Sequence, residues 1–239
     1  MDLFMLKIMT NPIKSLLGAI AVAAVMLTLT ACQSVYKKNS RGELELFNGK
    51  DLQGWKHVLE DPSVPAEKVW TVRDGIIVCK GEPLGFLYSE KTFTNFRLLV
   101  EYRWAPGAKP GNSGIFSRIH TPYSALPACS ECQLMHGNAG DVLTLQGMKM
   151  AVDQPRYFSI KAHAKAGDIS GVKKLEDKEK PAGEWNQVEI LALGPKYQVW
   201  VNGTLVNEVT GIEVISGPIG LQSEGGEIHF RRVNLAPLP

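Results

Sequence analysis

The sequence has no excess of charge of either sign: 26 Lys and Arg stand against 24 Asp and Glu. That near balance gives no electrostatic case for a nucleic-acid partner. Cysteine is scarce, four in 239 residues. Three of the four, Cys79, Cys129 and Cys132, lie in the body of the chain, and three cannot all pair. Cys129-x-x-Cys132 invites a redox or zinc reading, but no second Cys/His pair has the spacing a zinc site needs. Buried free thiols are therefore the expected state, ahead of a labile disulfide. The apolar run LLGAIAVAAVMLTLTA, which ends before Cys32, is short for a membrane span. Beyond it, no stretch has the periodicity of an amphipathic helix of useful length.

Lys7 and Lys14 precede the apolar run, the order of a signal peptide. Leu29-Thr30-Ala31-Cys32 resembles the bacterial lipobox, whose cysteine becomes the lipidated first residue of the mature protein. By that resemblance, Gln33 after the cysteine favours the outer membrane. The expected location is the bacterial cell envelope, lipid-anchored and facing periplasm or surface, with the lipid as the sole membrane contact. Residues 1–31 then form the signal peptide and residues 32–42, polar after the cysteine, a tether. Residues 43–239 have the length of one domain.

That domain reads as a series of short strands. LELFNGKDLQGWKHV carries an Asn-Gly turn, and VWTVRDGIIVCKG is two strands around Asp74-Gly75. FRLLVEYRWA is a longer strand, followed by SGIFSRIH, SECQLMHG and NQVEILALG. In YQVWVNGTLVNEV the pair Asn202-Gly203 is the strongest hairpin signal of the chain. GPIGLQSEGGEIHFRRVNL, from Gly217 to Leu235, reads as a closing hairpin around Gly-Gly. Many short strands at this spacing predict an all-β sandwich or jelly roll of two antiparallel sheets. Residues 137–184 are the least regular; their charged KKLEDKEKP run reads as a solvated loop or a cleft wall.

Alternate side chains of a strand point to opposite faces. Val100 and Tyr102 facing the core leaves Glu101 and Arg103 outward. Ile115, Ser117 and Ile119 inward leaves Phe116 and Arg118. Cys132 and Leu134 inward leaves Glu131 and Gln133. Ile219, Leu221, Ile228 and Phe230 inward leaves Gln222, His229 and Arg231. These outward sets are rich in planar groups that bind vicinal hydroxyls and carboxylates. If the strands lie side by side, they form one carbohydrate-binding face; if not, they are cross-strand ion pairs. Each tryptophan is expected in the core more often than in such a site.

Several stretches together resemble one family: LFNGKDLQGW at 46–55, GNSGIFSRI at 111–119, ECQL at 131–134, GEWNQVEI at 183–190, VWVNGTLVNE at 199–208 and GPIGLQSEGGEIHFRRV at 217–233. They are similar to the 3-keto-disaccharide hydrolase domain family, formerly a domain of unknown function, over nearly all of the mature chain. The resemblance implies a concanavalin/glucanase-like β-sandwich. Where the family often has Glu-Val-Gln, this chain has Glu131-Cys132-Gln133. Where it commonly has Phe-Arg-Asn, this chain has Phe230-Arg231-Arg232. The CSEC and MHGNAGD segments are also less typical.

The implied chemistry starts from a ketone at C3 of a hexose, which acidifies the C2 hydrogen. A base removes that proton, the C1 substituent leaves by elimination, and water addition completes net hydrolysis. Such a site needs a base, an oxyanion stabiliser and an acid. Glu131 is the expected base, with His136 or His229 as its rival. Arg118 and Arg231 are expected on the developing oxyanion or ring hydroxyls. Gln133, Gln222 and Glu101 would fix the sugar, with Arg103 beside them, Asn112 at the cleft rim and Glu224 at the turn. Two alternatives stay open. An ordinary glycosidase needs two carboxylates, and Glu131 has no partner nearby on its strand. A non-catalytic glycan-binding lipoprotein suits the same fold. No cofactor is expected, calcium on a loop Asp141 or Asp153 excepted. The expected partner is a carbohydrate.

Overall fold

The computed structural model describes residues 35–239. The signal-peptide, lipobox and Cys32 expectations lie outside the described residues.

Two antiparallel sheets build the fold. The first runs in the order β1 (Lys37–Lys38), β2 (Leu44–Glu45), β17 (Ile228–Pro237), β7 (Phe96–Trp104), β13 (Asn186–Leu193), β14 (Lys196–Val201) and β15 (Thr204–Val209). To β17 it adds β5 (Ile76–Cys79), which pairs with β4 (Trp70–Arg73). The second sheet runs β11 (Tyr157–His163), β12 (Gly167–Val172), β10 (Val142–Thr144), β9 (Ser130–Gln133), β8 (Gly114–Ser117), β16 (Gly217–Ser223), β6 (Gly85–Phe93) and β3 (Trp55–Leu59). One turn of helix, α1 (Ala66–Val69), precedes β4. The Asn202-Gly203 turn joins β14 to β15, with Asn202 at φ 50° and Gly203 at φ 83°.

Alternation decides which side chains fill the space between the sheets. In β7, Phe96, Leu98, Val100, Tyr102 and Trp104 are all essentially inaccessible and point inward. Leu87, Ile115, Cys132, Val142, Ile219 and Leu221 of the second sheet meet them from the other side. Each large apolar side chain so buried contributes about 1.5–3 kcal/mol. The outer face of the second sheet carries a separate, smaller cluster: Phe86, Phe116, Ile119, Leu126, Cys129, Leu143, Leu145, Ala166 and Ile169. Both faces of this sheet are thereby covered, which is why every residue of β16 is buried. Ile119, expected in the main core, belongs to this outer cluster.

Three expectations are corrected here. The 217–235 stretch is not a hairpin: β16 and β17 lie in different sheets, and the Gly225-Gly226 link carries the chain from one to the other. Both glycines have positive φ, and a Cβ at Gly111 would sit 2.0 Å from the Gly225 carbonyl oxygen. The link needs glycine for backbone freedom and for close approach. Residues 137–184 are not one irregular loop, since they hold β10, β11 and β12. The tether boundary at 42 is also too late. Tyr36 is buried, with its hydroxyl on the Gly54 carbonyl, and β1 pairs with β2.

Candidate active site

Residues on the outer face of the second sheet form a cleft of about 320 Å³. Its floor is set by register. Glu131 of β9 lies between Phe116 of β8 and Leu143 of β10, all three on the side away from the main core. Gln133 follows Glu131 on that face, and Gln222 comes from β16. Asn112, in the turn before β8, and Glu224, just after β16, close one end. Phe158, Ile160 and His163 of β11 supply a wall.

Glu131 is the least comfortable group here. It is 3% exposed, and burial and the charge of Glu224, with no hydrogen bond to oppose them, act on its carboxyl. Burial, and then the nearby charge of Glu224, push its pKa up to about 8. That shift corresponds to about 5 kcal/mol at 1.36 kcal/mol per unit. A surface ion pair returns at most about 1 kcal/mol, so nothing structural offsets the penalty. Gly114 makes the placement geometrically feasible: a Cβ there would lie 2.2 Å from Glu131 Oε1 and 3.0 Å from Gln222 Oε1. The glycine of GNSGIF is the space into which the carboxylate folds.

Two more acceptors in the cleft lack a donor. Asn112 Oδ1 and Gln222 Oε1 are buried and have no protein partner. The amide ends of the same two side chains are engaged: Gln222 Nε2 donates to Glu224 at 2.5 Å, and Asn112 donates to it as well. Burial raises the Glu224 pKa, and those two bonds oppose the rise. Gln133 Oε1 accepts from the backbone of Leu134 and Met135 at 2.9 and 2.8 Å, which leaves its amide nitrogen as a donor. Asp141 is held by Lys173 Nζ and the Lys174 backbone, both at 2.8 Å, so its oxygens are already used. Beyond Glu224 and His163 the cleft continues into a depression of about 850 Å³ lined by Glu60, Pro83, Leu84 and Lys165.

The structure therefore brings together Glu131, Gln133, Gln222, Glu224 and Asn112 and separates the rest of the expected set. Glu101, Arg103, His229 and Arg231 belong to β7 and β17 and lie on the outer face of the first sheet. There Arg231 pairs with Glu101 at 2.6 Å, Arg103 donates to His229 Nδ1 at 3.2 Å, and both guanidinium groups stack on Trp185 at 4.2 and 4.6 Å. The cross-strand ion-pair reading is the correct one for this face. Arg118 is fully buried, with φ 52°, and donates to the carbonyls of Thr94, Gly194 and Glu213. It ties three loops together instead of meeting a ligand. His136 faces Glu179 at 3.1 Å and is not part of the cleft wall.

Sequence reasoning missed two features. His163 sits in a stretch that reads as irregular; alternation in YFSIKAH marks a strand but puts His163 on the face opposite Phe158 and Ile160, and only the register shift at Ala162 brings it to the cleft. Glu179, from the charged run, is buried and accepts from Tyr102, Trp104 and the Gly137 amide, besides its contact with His136. No spacing rule marks one glutamate of KKLEDKEKP as an anchor. Of the tryptophans, Trp55, Trp70 and Trp104 are core, whereas Trp185 and Trp200 are half-buried. Cys79, Cys129 and Cys132 are buried free thiols, as expected.

A two-sheet antiparallel β-sandwich of this kind is the concanavalin-like architecture. Comparison with known proteins is consistent with this. The chain belongs to the 3-keto-alpha-glucoside-1,2-lyase-like domain family, whose model matches residues 42–236. Among solved structures it is similar to a "putative glycosyl hydrolase" from Parabacteroides distasonis, at 21% identity and TM-score 0.57 over 81% of this chain and 93% of that one. It is also similar to the carbohydrate binding module CBM66 from Bacillus subtilis, at 14% identity and TM-score 0.51 over 75% and 93%. At these identities the likeness is one of fold. No curated protein matches the chain.

Proposed function

We propose that this protein is an enzyme that cleaves 3-keto-glucosides or 3-keto-disaccharides by removing the C2 proton and eliminating the C1 substituent, with water addition giving net hydrolysis. The observation that carries the reading is a buried carboxylate, Glu131, in one cleft with two buried acceptors that have no donor, Gln222 Oε1 and Asn112 Oδ1. Buried acceptors of this kind are costly unless a ligand brings donors, and a sugar brings several hydroxyls. Glu131 is the base. With its pKa raised to about 8, its ionised form is basic enough to take a proton made acidic by a neighbouring ketone. Gln133, Gln222 and Asn112 hold the hydroxyls, and the adjoining depression takes the aglycone. We also propose that the domain is anchored at the cell envelope through a lipid on Cys32.

The nearness of Glu224 to Glu131 favours a second reading, a glycosidase with two carboxylates. Substrate choice separates the two. The proposed enzyme cleaves a 3-keto-glucoside and leaves the unoxidised glucoside intact. Glu131→Gln is expected to lower kcat/KM on the keto substrate by about 10²–10⁴-fold while the melting temperature does not fall. Cleavage of the unoxidised glucoside by the wild type would overturn the keto-specific mechanism. Binding of glycans without turnover of either substrate would make the protein a lectin.

A further inference from the structure

The cleft holds neither arginine expected to meet developing negative charge, since Arg118 and Arg231 both lie elsewhere. The cationic groups at the cleft are committed to carboxylates: Lys173 to Asp141 at 2.8 Å, and Lys165, in the adjoining depression, to Glu60 at 2.8 Å. The remaining donor between the two depressions is His163. It lines both of them, and Glu224 is the other residue that does so. Glu224 already accepts from Gln222 and Asn112, and so is held as an acceptor.

The orientation of the His163 ring is set by its own turn. Its Nδ1 faces the backbone amides of Ala166 at 3.1 Å and Lys165 at 3.4 Å. An atom that receives two N–H groups is an acceptor, so the ring proton sits on Nε2, on the far side of the imidazole. The bend that turns the ring this way is local: Ala162 has φ 52°, and the pairing of β11 with β12 shifts register between Ile160 and His163.

We infer that His163 donates a hydrogen bond from Nε2 to the glycosidic oxygen and stabilises it as it leaves. This rests on the elimination reading above. Glu131 takes the C2 proton. The electron pair of that C–H bond forms the C1=C2 double bond by way of the enolate, and the C1–O pair goes to the leaving oxygen. Negative charge therefore develops on that oxygen, at the junction of the depression for the keto-sugar and the one for the aglycone. An imidazole N–H lowers the energy of that charge by hydrogen bonding. The proton that finally neutralises the alkoxide comes from protonated Glu131 or from water, so His163 is unchanged over the cycle.

Two substitutions separate this role from support of the turn. In His163→Asn, the side-chain oxygen takes the place of Nδ1 and keeps the backbone contacts, while the distal donor is gone. In His163→Gln, an amide nitrogen reaches toward the position of Nε2. Each variant is assayed on a 3-keto-disaccharide, whose leaving group is a basic sugar alkoxide, and on a nitrophenyl 3-keto-glucoside, whose leaving group needs little help. The expected result for His163→Asn is a fall in kcat of about 10²-fold on the disaccharide and little change on the nitrophenyl substrate, with partial recovery in His163→Gln. Equal losses on both substrates, or no loss on either, would overturn the role of His163 alone. A wild-type protein that turns over neither keto substrate removes the elimination reading and this inference with it.

Discussion

At the scale of single residues, the proposed chemistry rests on Glu131 and on the absence of a side chain opposite it. Gly114→Ala would place a methyl group 2.2 Å from the Glu131 oxygen. The carboxylate must then move by about 1 Å, a displacement that can cost about 10²-fold in rate. Turnover assays should show that loss with the fold intact by circular dichroism, since the main core lies on the other face of the sheet. Glu131 also imposes a pH dependence on stability. Below about pH 4.5, its ordinary value, the side chain is neutral in both folded and unfolded chains. From there to about pH 8 the unfolded chain ionises it while the folded one does not, so stability falls as pH rises, by up to about 5 kcal/mol. Above that pH the loss is constant. Glu131→Gln removes this term. Its melting temperature should exceed that of the wild type by a margin that widens from pH 5 to pH 8. A margin that is flat across that range would mean Glu131 is not buried as a neutral acid.

At the scale of elements, the decisive fact is which strand belongs to which sheet. Strands β8, β9 and β16 carry the cleft, whereas β7 and β17 carry the Glu101, Arg103, Arg231 and His229 cluster on the opposite side of the sandwich. Arg231→Ala should therefore leave kcat and KM of the keto substrate within about twofold of wild type. It should reduce stability by no more than about 1–2 kcal/mol, the worth of one exposed pair and one cation–π contact. A large rise in KM would mean that the substrate reaches around the sandwich edge. The strand pattern itself was readable in advance: inward Tyr102, Cys132, Leu221 and Phe230 are where alternation puts them. Alternation assigns a residue to the inside or outside of its own sheet. It carries no information on whether two outsides are the same surface, and so the expected single polar face proved to be two.

At the scale of the whole molecule, a buried carboxylate fastens the long connection from β12 to β13 to the first sheet. Glu179 accepts from Tyr102, Trp104 and Gly137, and through Tyr102 and Trp104 it ties this connection to the first sheet. Glu179→Ala leaves those donors without a partner, at about 1–3 kcal/mol for each that stays buried. The expected outcome is a lower melting temperature and new cleavage by a lysine-specific protease within residues 173–180. If the protease pattern of the variant matches that of the wild type, the connection is held by its other contacts, such as Lys180 to Asn186 and Asn202 to Lys178.

The sequence by itself determined the strand architecture, because alternation and turn chemistry are local and each strand states its own inner face. It also determined the family, and it held Glu131, Gln133, Gln222, Glu224 and Asn112 within a longer set of candidates that included His136, His229, Arg118, Arg231, Glu101 and Arg103. The tertiary structure decided which of the remaining candidates share a surface with them. Gly225-Gly226 looks locally like a hairpin turn, yet it delivers β17 to the other sheet. That choice depends on what each strand finds to pair with, a non-local matter. It moved His229 and Arg231 away from the cleft, whereas His163 stands with Glu224 where the two depressions meet.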